Sequence, residues 1–246
     1  MSMPFQGPPS LRFGDNPLDM SQNILSTFSA DRREQLAKLD SPRKYYIPYF
    51  AGRDAAYDMS NAPQGIHAFL RAYFHMKSAD WRHNDPRPLA TAEPFELAKL
   101  PHYYMMPLAA TMPEAVAPHA PNADEIARSR WLTDEELAVY AEEYGRTGFQ
   151  GALNGYRSFQ PEFYDELGVF AGKVIAVSAM FISGKQDWGV YQMPGALEKM
   201  KTEACSRMRE KDVLLVDGAG HLVQQEQPEK VITLLERFLS EVKVSE

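Results

Sequence analysis

The chain has 246 residues, 44% hydrophobic and 24% charged, a composition typical of a globular protein with a substantial core. Its net charge of −7 argues against a broad nucleic-acid-binding face, because such a face must be basic. Cys205 is the only cysteine, which rules out an internal disulfide and indicates a reducing, cytoplasmic location. No signal peptide is recognisable, and the most apolar stretch, Val174 to Ile182, is too short to span a bilayer.

The N-terminal part of the sequence predicts helices separated by loops. Residues 1–40 are punctuated by proline and glycine, so we expect irregular structure there. Ser41 and Pro42 resemble a helix N-cap followed by proline at the first helical position, and the segment from Tyr45 to Met59 is predicted to be mostly helical. A further helix is predicted where apolar residues recur at three- and four-residue steps, namely Ile66, Phe69, Leu70, Tyr73 and Phe74.

The middle of the sequence is rich in proline and gives weaker signals. Residues 79–121 are expected to form loops with short helices, one of them at Phe95 to Leu100. Thr133 and Glu136 have the spacing of a capping box and predict the start of a longer helix. No residue before Val174 strongly suggests a strand, so the first two-thirds of the chain should be helical.

The last third of the sequence has a different pattern. The apolar runs Lys173 to Ile182 and Asp212 to Val216 are typical of buried parallel strands. Helices are predicted from Gly195 to Arg209 and from Pro228 to Val244. Strand, helix, strand and helix in this order predict an α/β fold.

Two polar residues follow these strands and suggest chemistry. Asp187 comes after the first strand and His221 after the second, 221 − 187 = 34 residues later. Functional groups of parallel sheets gather beyond the C-terminal strand ends, so the two side chains could meet. A carboxylate beside an imidazole fixes its tautomer and stabilises its protonated form. Either residue alone would more simply be a turn or loop residue, but together they have the acid-then-histidine order of α/β-hydrolases.

Four segments of the sequence resemble epoxide hydrolases of the α/β-hydrolase family, in the family's order. Gly218 to His221, followed by Gln224 to Val231, resembles the histidine loop and final helix. Trp131 to Arg157 is similar to the end of the cap domain, and Tyr45 to Phe50 to the cap segment with the first catalytic tyrosine. Met1 to Phe5 resembles the chain after the sixth core strand.

The resemblance implies a fragment of an α/β-hydrolase fold: a helical cap followed by the last two parallel strands and helices of the core. Residues 1–14 would be the end of core strand 6 and a linker. Residues 15–172 would form the cap, and residues 173–246 the C-terminal part of the core.

The resemblance also implies a role for each matching residue. Tyr46 and Tyr156 match the two cap tyrosines that donate hydrogen bonds to the epoxide oxygen. Asp187 matches the acid, and His221 the base that activates water against an alkyl-enzyme ester. Other tyrosines, including Tyr104, are expected only to pack. Three residues are expected to line the substrate site: Phe50, Trp188 and Leu222.

The sequence departs from the family in three ways. Leu222 stands where an aromatic residue usually follows the histidine, and Ser178 where many relatives have proline. The family's nucleophile, an aspartate on a sharp turn, and its histidine-glycine oxyanion motif both have no counterpart in the sequence. We therefore expect that the chain alone does not turn over its substrate.

The implied substrate is a small apolar epoxide, with no cofactor and no metal. Two alternatives remain open at this point: a catalytically inactive fragment that only binds apolar ligands, and another α/β-hydrolase activity such as dehalogenation. Dehalogenases bind halide chiefly with indole and amide donors, so the pair Tyr46 and Tyr156 favours epoxides. The oligomeric state is not indicated by any sequence pattern.

Overall fold

The computed structural model describes residues 3–5, 7, 29–159 and 165–242. Residues 29–159 are mainly helical and surround a short antiparallel ladder in which β1 (Arg43–Tyr45) pairs with β2 (Met105–Pro107). The helices of this part are α1 (Ala30–Ala37), α2 (Tyr46–Ala51), α3 (Ala55–Ser60), α4 (Ile66–Lys77), α5 (Pro94–Leu97), α6 (Met112–Val116), α7 (Ala123–Arg128), α8 (Asp134–Thr147) and α9 (Gln150–Leu153), and 3₁₀ turns cover Ala117–His119 and Asn154–Phe159. A further 3₁₀ turn, Asp165–Phe170, follows this part.

The packing of α4 against α8 organises the helical part. Helix α8 starts at the predicted capping box, in which the Glu136 amide donates to Thr133 Oγ1 at 3.1 Å and the Thr133 amide to Glu136 Oε2 at 2.8 Å. The buried Arg71 of α4 donates to the carbonyl of Leu132 at 2.8 Å and to Asp134 at 2.6 Å. These bonds fix the start of α8 against α4, while the apolar faces of both helices enter one core.

The C-terminal part contains a two-stranded parallel sheet. Strand β3 (Ala179–Gly184) pairs with β4 (Met208–Val216), with Gly184 opposite Val216. The remaining elements are a 3₁₀ turn (Trp188–Val190), α10 (Ala196–Lys199), a π-helical turn (Met200–Ala204), α11 (Val223–Glu226) and α12 (Pro228–Glu241). The helical crossover from β3 to β4 is the α/β unit that the sequence predicts.

Two expectations for the N-terminal part are wrong. Residues 30–37 form helix α1, capped by Ser29, where irregular structure is expected. Ser41 and Pro42 do not start a helix, because the chain enters strand β1 and the Tyr46 amide then donates to Tyr104 O at 3.0 Å. A strand therefore exists before Val174, and pairing with residues some 60 positions away along the chain overrides the local helix signal.

The boundaries of the C-terminal elements also differ from the prediction. Strand β3 begins at Ala179, since Ile175 makes only an isolated bridge to Cys205. The predicted helix to Arg209 ends at Ala204, and Cys205 is extended and buried. Met3 packs against the cap core without forming a strand, and Met1 lies outside the described residues. The division into residues 1–14, 15–172 and 173–246 stays a prediction.

No helix within the described ranges is long and apolar enough to cross a membrane.

Candidate functional site

Asp187 and His221 lie in contact at the C-terminal ends of the two parallel strands. Asp187 is 1% exposed, and its Oδ1 lies 3.2 Å from His221 Nδ1. The same carboxylate accepts hydrogen bonds from the Gly189 amide at 2.7 Å and from Ser183 Oγ at 3.1 Å. Because these donors fix the carboxylate, the carboxylate can in turn fix the orientation of the imidazole. The contact that the sequence predicts is present.

Three backbone segments approach each other closely around His221. A Cβ atom on Gly184, at the end of β3, would lie 2.1 Å from Gly220 O. A Cβ atom on Gly220 would lie 2.3 Å from Lys77 O, at the end of α4. The His221 amide donates to the same Lys77 oxygen at 2.8 Å. Glycine is therefore required at both positions, and the end of the cap helix rests directly on the histidine loop, residues 218–222.

A buried lysine lies near this pair. Lys77 is 5% exposed, and its Nζ lies 4.9 to 5.2 Å from the ring centroids of Tyr73, Tyr103 and Tyr104. Burial lowers the pKa of Lys77 to about 8, although the rings and Asp187 favour its charged form. Burial also lowers the pKa of His221, and the positive charge of Lys77 lowers it further, while Asp187 acts in the opposite direction.

The two candidate tyrosines contact each other in the cap. The rings of Tyr46 and Tyr156 are 5.8 Å apart between centroids and meet edge to face. Phe50 contacts both, at 5.3 Å from Tyr46 and 4.9 Å from Tyr156. Burial raises the pKa of both phenols, and neighbouring tyrosines raise it further, so the two hydroxyls remain protonated hydrogen-bond donors.

Tyr104 connects the tyrosine pair to the histidine. Its ring lies 5.1 Å from the ring of Tyr46, and its hydroxyl lies 3.4 Å from His221 Nδ1. Tyr104 packs in the core as expected, and its hydroxyl in addition contacts the candidate base. Trp188 is buried in the cap core beside Asp187, and Leu222 follows His221 and is partly buried.

Sequence reasoning missed three residues of this site: Lys77, Tyr104 and Glu226. Glu226 accepts backbone hydrogen bonds from the loop around His221. A lysine in the last turn of a helix usually indicates a favourable interaction with the helix dipole at the surface, so nothing in the sequence marks Lys77. The one available signal is the position of Glu226, five residues after the histidine and within the segment Gln224 to Val231.

The chain is similar to epoxide hydrolases of the α/β-hydrolase fold. Epoxide hydrolase A of Mycobacterium tuberculosis is 37% identical over 115 residues, which are 45% of this chain and 32% of that protein. Epoxide hydrolase 2 of Siraitia grosvenorii is 34% identical over 111 residues, 44% of this chain and 34% of that protein. No family model matches the chain.

Solved epoxide hydrolases share the fold of the chain. Epoxide hydrolase A from Mycobacterium thermoresistibile matches 82% of this chain and 54% of its own length, at 30% identity and a TM-score of 0.59. A variant of potato epoxide hydrolase matches 94% of this chain and 60% of its own length, at 23% identity and a TM-score of 0.60. The chain thus spans about a third of the curated relatives and somewhat over half of these structures.

Proposed function

We propose that this chain supplies the cap tyrosines and the acid–base pair for the hydrolysis of an epoxide to a diol. The observation that carries the proposal is the continuous series of contacts from Tyr156 through Tyr46 and Tyr104 to His221 and Asp187. This series of contacts connects two phenols that can donate to an oxygen with a candidate general base. The proposed substrate is a small apolar epoxide.

In the first step a carboxylate nucleophile attacks one epoxide carbon, and the bond from that carbon to the ring oxygen breaks. The oxygen becomes an alkoxide, which accepts hydrogen bonds from Tyr46 and Tyr156 and takes a proton from one of them. Because burial keeps both phenols protonated, they can stabilise this developing charge. An alkyl-enzyme ester remains.

In the second step His221 removes a proton from water as the water oxygen attacks the ester carbonyl. With Nδ1–H donated to Asp187, the lone pair of Nε2 can accept that proton, and the buried carboxylate stabilises the imidazolium. The bond from the ester carbonyl carbon to the alkyl oxygen breaks, and that oxygen takes the second proton of the attacking water, so that the diol leaves and the carboxylate is restored. The imidazolium then returns its proton to the tyrosinate, so that the balance is epoxide plus water to diol.

We propose that the nucleophile belongs to polypeptide that this sequence does not contain. No aspartate in the sequence has glycine both two positions before and two positions after it. The chain alone should therefore bind an epoxide but not release a diol. Dehalogenation is less well supported, since halide binding does not require the contact between Tyr46 and Tyr156.

We base the proposed location and partners on composition. The acidic charge speaks against nucleic acid as a partner. Cys205, the single cysteine, is buried and unpaired with another cysteine, which supports the proposal of a reducing, cytoplasmic location.

A binding and turnover experiment with styrene oxide tests the proposal. The double variant Tyr46→Phe/Tyr156→Phe keeps both rings and removes both hydroxyls, so affinity should fall about tenfold if each hydrogen bond contributes about 0.5–1 kcal/mol. The control Tyr57→Phe, at a residue that is 71% exposed, should bind as the wild type does. Equal affinity of the double variant and the wild type would refute the tyrosine assignment. Diol formation by the chain alone, abolished by His221→Ala, would refute the proposal about the nucleophile.

A further inference from the structure

The carboxylate of Glu226 lies against the backbone on both sides of His221. It accepts from the Gly220 amide at 2.9 and 3.0 Å, one distance for each carboxylate oxygen, and from the Leu222 amide at 3.2 Å. A further hydrogen bond, 2.7 Å long, comes from the Ala79 amide, two residues beyond the end of α4. One side chain of α11 therefore holds two segments, the histidine loop and the end of the cap helix.

The amide of His221, between those of Gly220 and Leu222, also has a hydrogen-bond acceptor, at the end of α4. The His221 N–H donates to Lys77 O at 2.8 Å, so the amides of three successive loop residues all have fixed acceptors. The closeness of Gly220 to the same carbonyl leaves the loop no room to shift towards α4. The direction in which the imidazole leaves the backbone, and hence its 3.2 Å contact with Asp187, depends on this arrangement.

We propose that Glu226 is a positioning residue that sets the orientation of His221 and joins the histidine loop to the cap. The inference rests on the proposed function only for the role of His221 as the base. Hydrogen bonds to an ionised acceptor are shorter and roughly twice as strong as neutral ones, so one carboxylate can order both segments. This arrangement keeps the tyrosines of the cap at a fixed position relative to the candidate base.

Three variants separate positioning from general stability. In Glu226→Gln one oxygen is replaced by an NH₂ group, which cannot accept from the backbone donors that face it. Ala79→Pro removes only the donor from the cap, and Ser78 has the extended backbone, φ −89° and ψ 170°, that a following proline requires. Glu229→Gln makes the same chemical change on an exposed residue of α12 and is the control.

Amide hydrogen exchange and the NMR signals of the His221 ring in the full chain, both at pH 8, test the proposal. Glu226→Gln should accelerate exchange about tenfold or more at Leu222 or at Ala79, according to which oxygen the NH₂ group replaces. Exchange at the other amides, including Gly220, should accelerate to a smaller extent, because their bonds lose the charge of the acceptor. The His221 ring signals should shift in the same variant. Ala79→Pro should leave both the ring signals and the exchange at Gly220 and Leu222 unchanged.

Two results would overturn the proposal. One is Glu226→Gln with exchange rates and ring signals equal to those of Glu229→Gln. The other is Ala79→Pro moving the His221 ring signals as far as Glu226→Gln does, which would show a general loss of structure. If Glu226→Gln does not fold, Glu226→Asp is measured with the same expectation, since the shorter carboxylate cannot reach all its donors. No turnover is measured, so failure of the proposed reaction would leave these readouts intact.

Discussion

Replacing Glu226 with glutamine should remove one component of the pH dependence of folding. Burial raises the pKa of Glu226 from its ordinary value of 4.5 to about 7, although the amides of Ala79, Gly220 and Leu222 act in the opposite direction. The folded state therefore binds this proton more tightly than the unfolded chain does. The resulting stabilisation is complete below pH 4.5 and is lost as the pH rises through about 7. At 1.36 kcal/mol per pH unit, this interval corresponds to up to about 3 kcal/mol.

Urea unfolding at a series of pH values measures this component. Relative to Glu226→Gln, the free energy of unfolding of the wild type should fall by up to about 3 kcal/mol between pH 4.5 and 7 and then level off. The lost hydrogen bonds of the variant shift its curve without changing the slope. The titratable neighbours of Glu226, Asp80 and His221, are present in the wild type and in both variants, so their own titration does not distinguish the curves. The control Glu229→Gln should show the same pH dependence of the unfolding free energy as the wild type. Parallel curves for wild type and Glu226→Gln would show that the buried carboxyl does not titrate as stated.

Two further predictions concern the site and the cap core. Lys77→Met removes the positive charge that lowers the pKa of His221, so an NMR titration should show this pKa rising towards 6.5. The control Lys77→Arg keeps the charge and should not raise it. An unchanged pKa in Lys77→Met would contradict the effect of Lys77 on His221. Leu137→Ala in α8 should cost about 2–5 kcal/mol, because Leu137 is fully buried in the core. Val139→Ala on the exposed face should change the unfolding free energy by less than about 0.5 kcal/mol, and equal effects of the two would contradict the packing of α8.

The elements that could be predicted from the sequence are those with local signals. Helix α8 begins at the capping box of Thr133 and Glu136, and helix α4 has apolar residues at helical spacing. Both signals come from residues close together in the sequence, and both predicted helices are present. Strands β1 and β2 could not be predicted, since each is three residues long and forms only by pairing with a distant partner.

The C-terminal strand shows the limit of an apolar run as a signal. Lys173 to Ile182 is continuously apolar after its first residue except for Ser178, but a run of this kind does not specify where pairing with β4 begins. Val174 and Val177 precede β3 and are exposed. Phe181 lies within β3 and is buried, because it packs on the cluster with Val190 and Met200.

The part of the candidate site that could be predicted is the pair of residues whose contact follows from the order of the strands along the chain. Asp187 and His221 follow successive parallel strands, and strand ends of this kind meet at one edge of a sheet. Tyr104, Lys77 and Glu226 enter the site because the end of α4 rests on the histidine loop. Contacts of that kind depend on tertiary packing, which periodicity and capping signals do not report.

An apolar surface on α12 predicts that the isolated chain self-associates. The helix exposes a row of apolar side chains, and together with β3 it borders an open groove with a volume of about 600 Å³. The groove is lined by Met180, Ile182, Val223, Gln224, Val231, Leu235, Phe238 and Leu239. Contiguous apolar patches on a monomer are interaction sites or aggregation liabilities, whereas single exposed apolar residues are ordinary.

The double variant Leu235→Lys/Leu239→Lys should therefore slow aggregation of the chain in a light-scattering assay at matched concentration. Both residues are exposed, at 43% and 70%, so the lysines need no space in the core, and burying their charges against a second copy would be costly. Tyr57→Lys/Val139→Lys is the matched control, because it adds the same number of charges at residues that are 71% and 61% exposed and do not line the groove. If the control slows aggregation equally, charge alone is responsible and the groove is not. A wild-type chain that is monomeric and unfolds in a single sharp transition would contradict the prediction outright, since a surface of this size would then be tolerated without a covering partner.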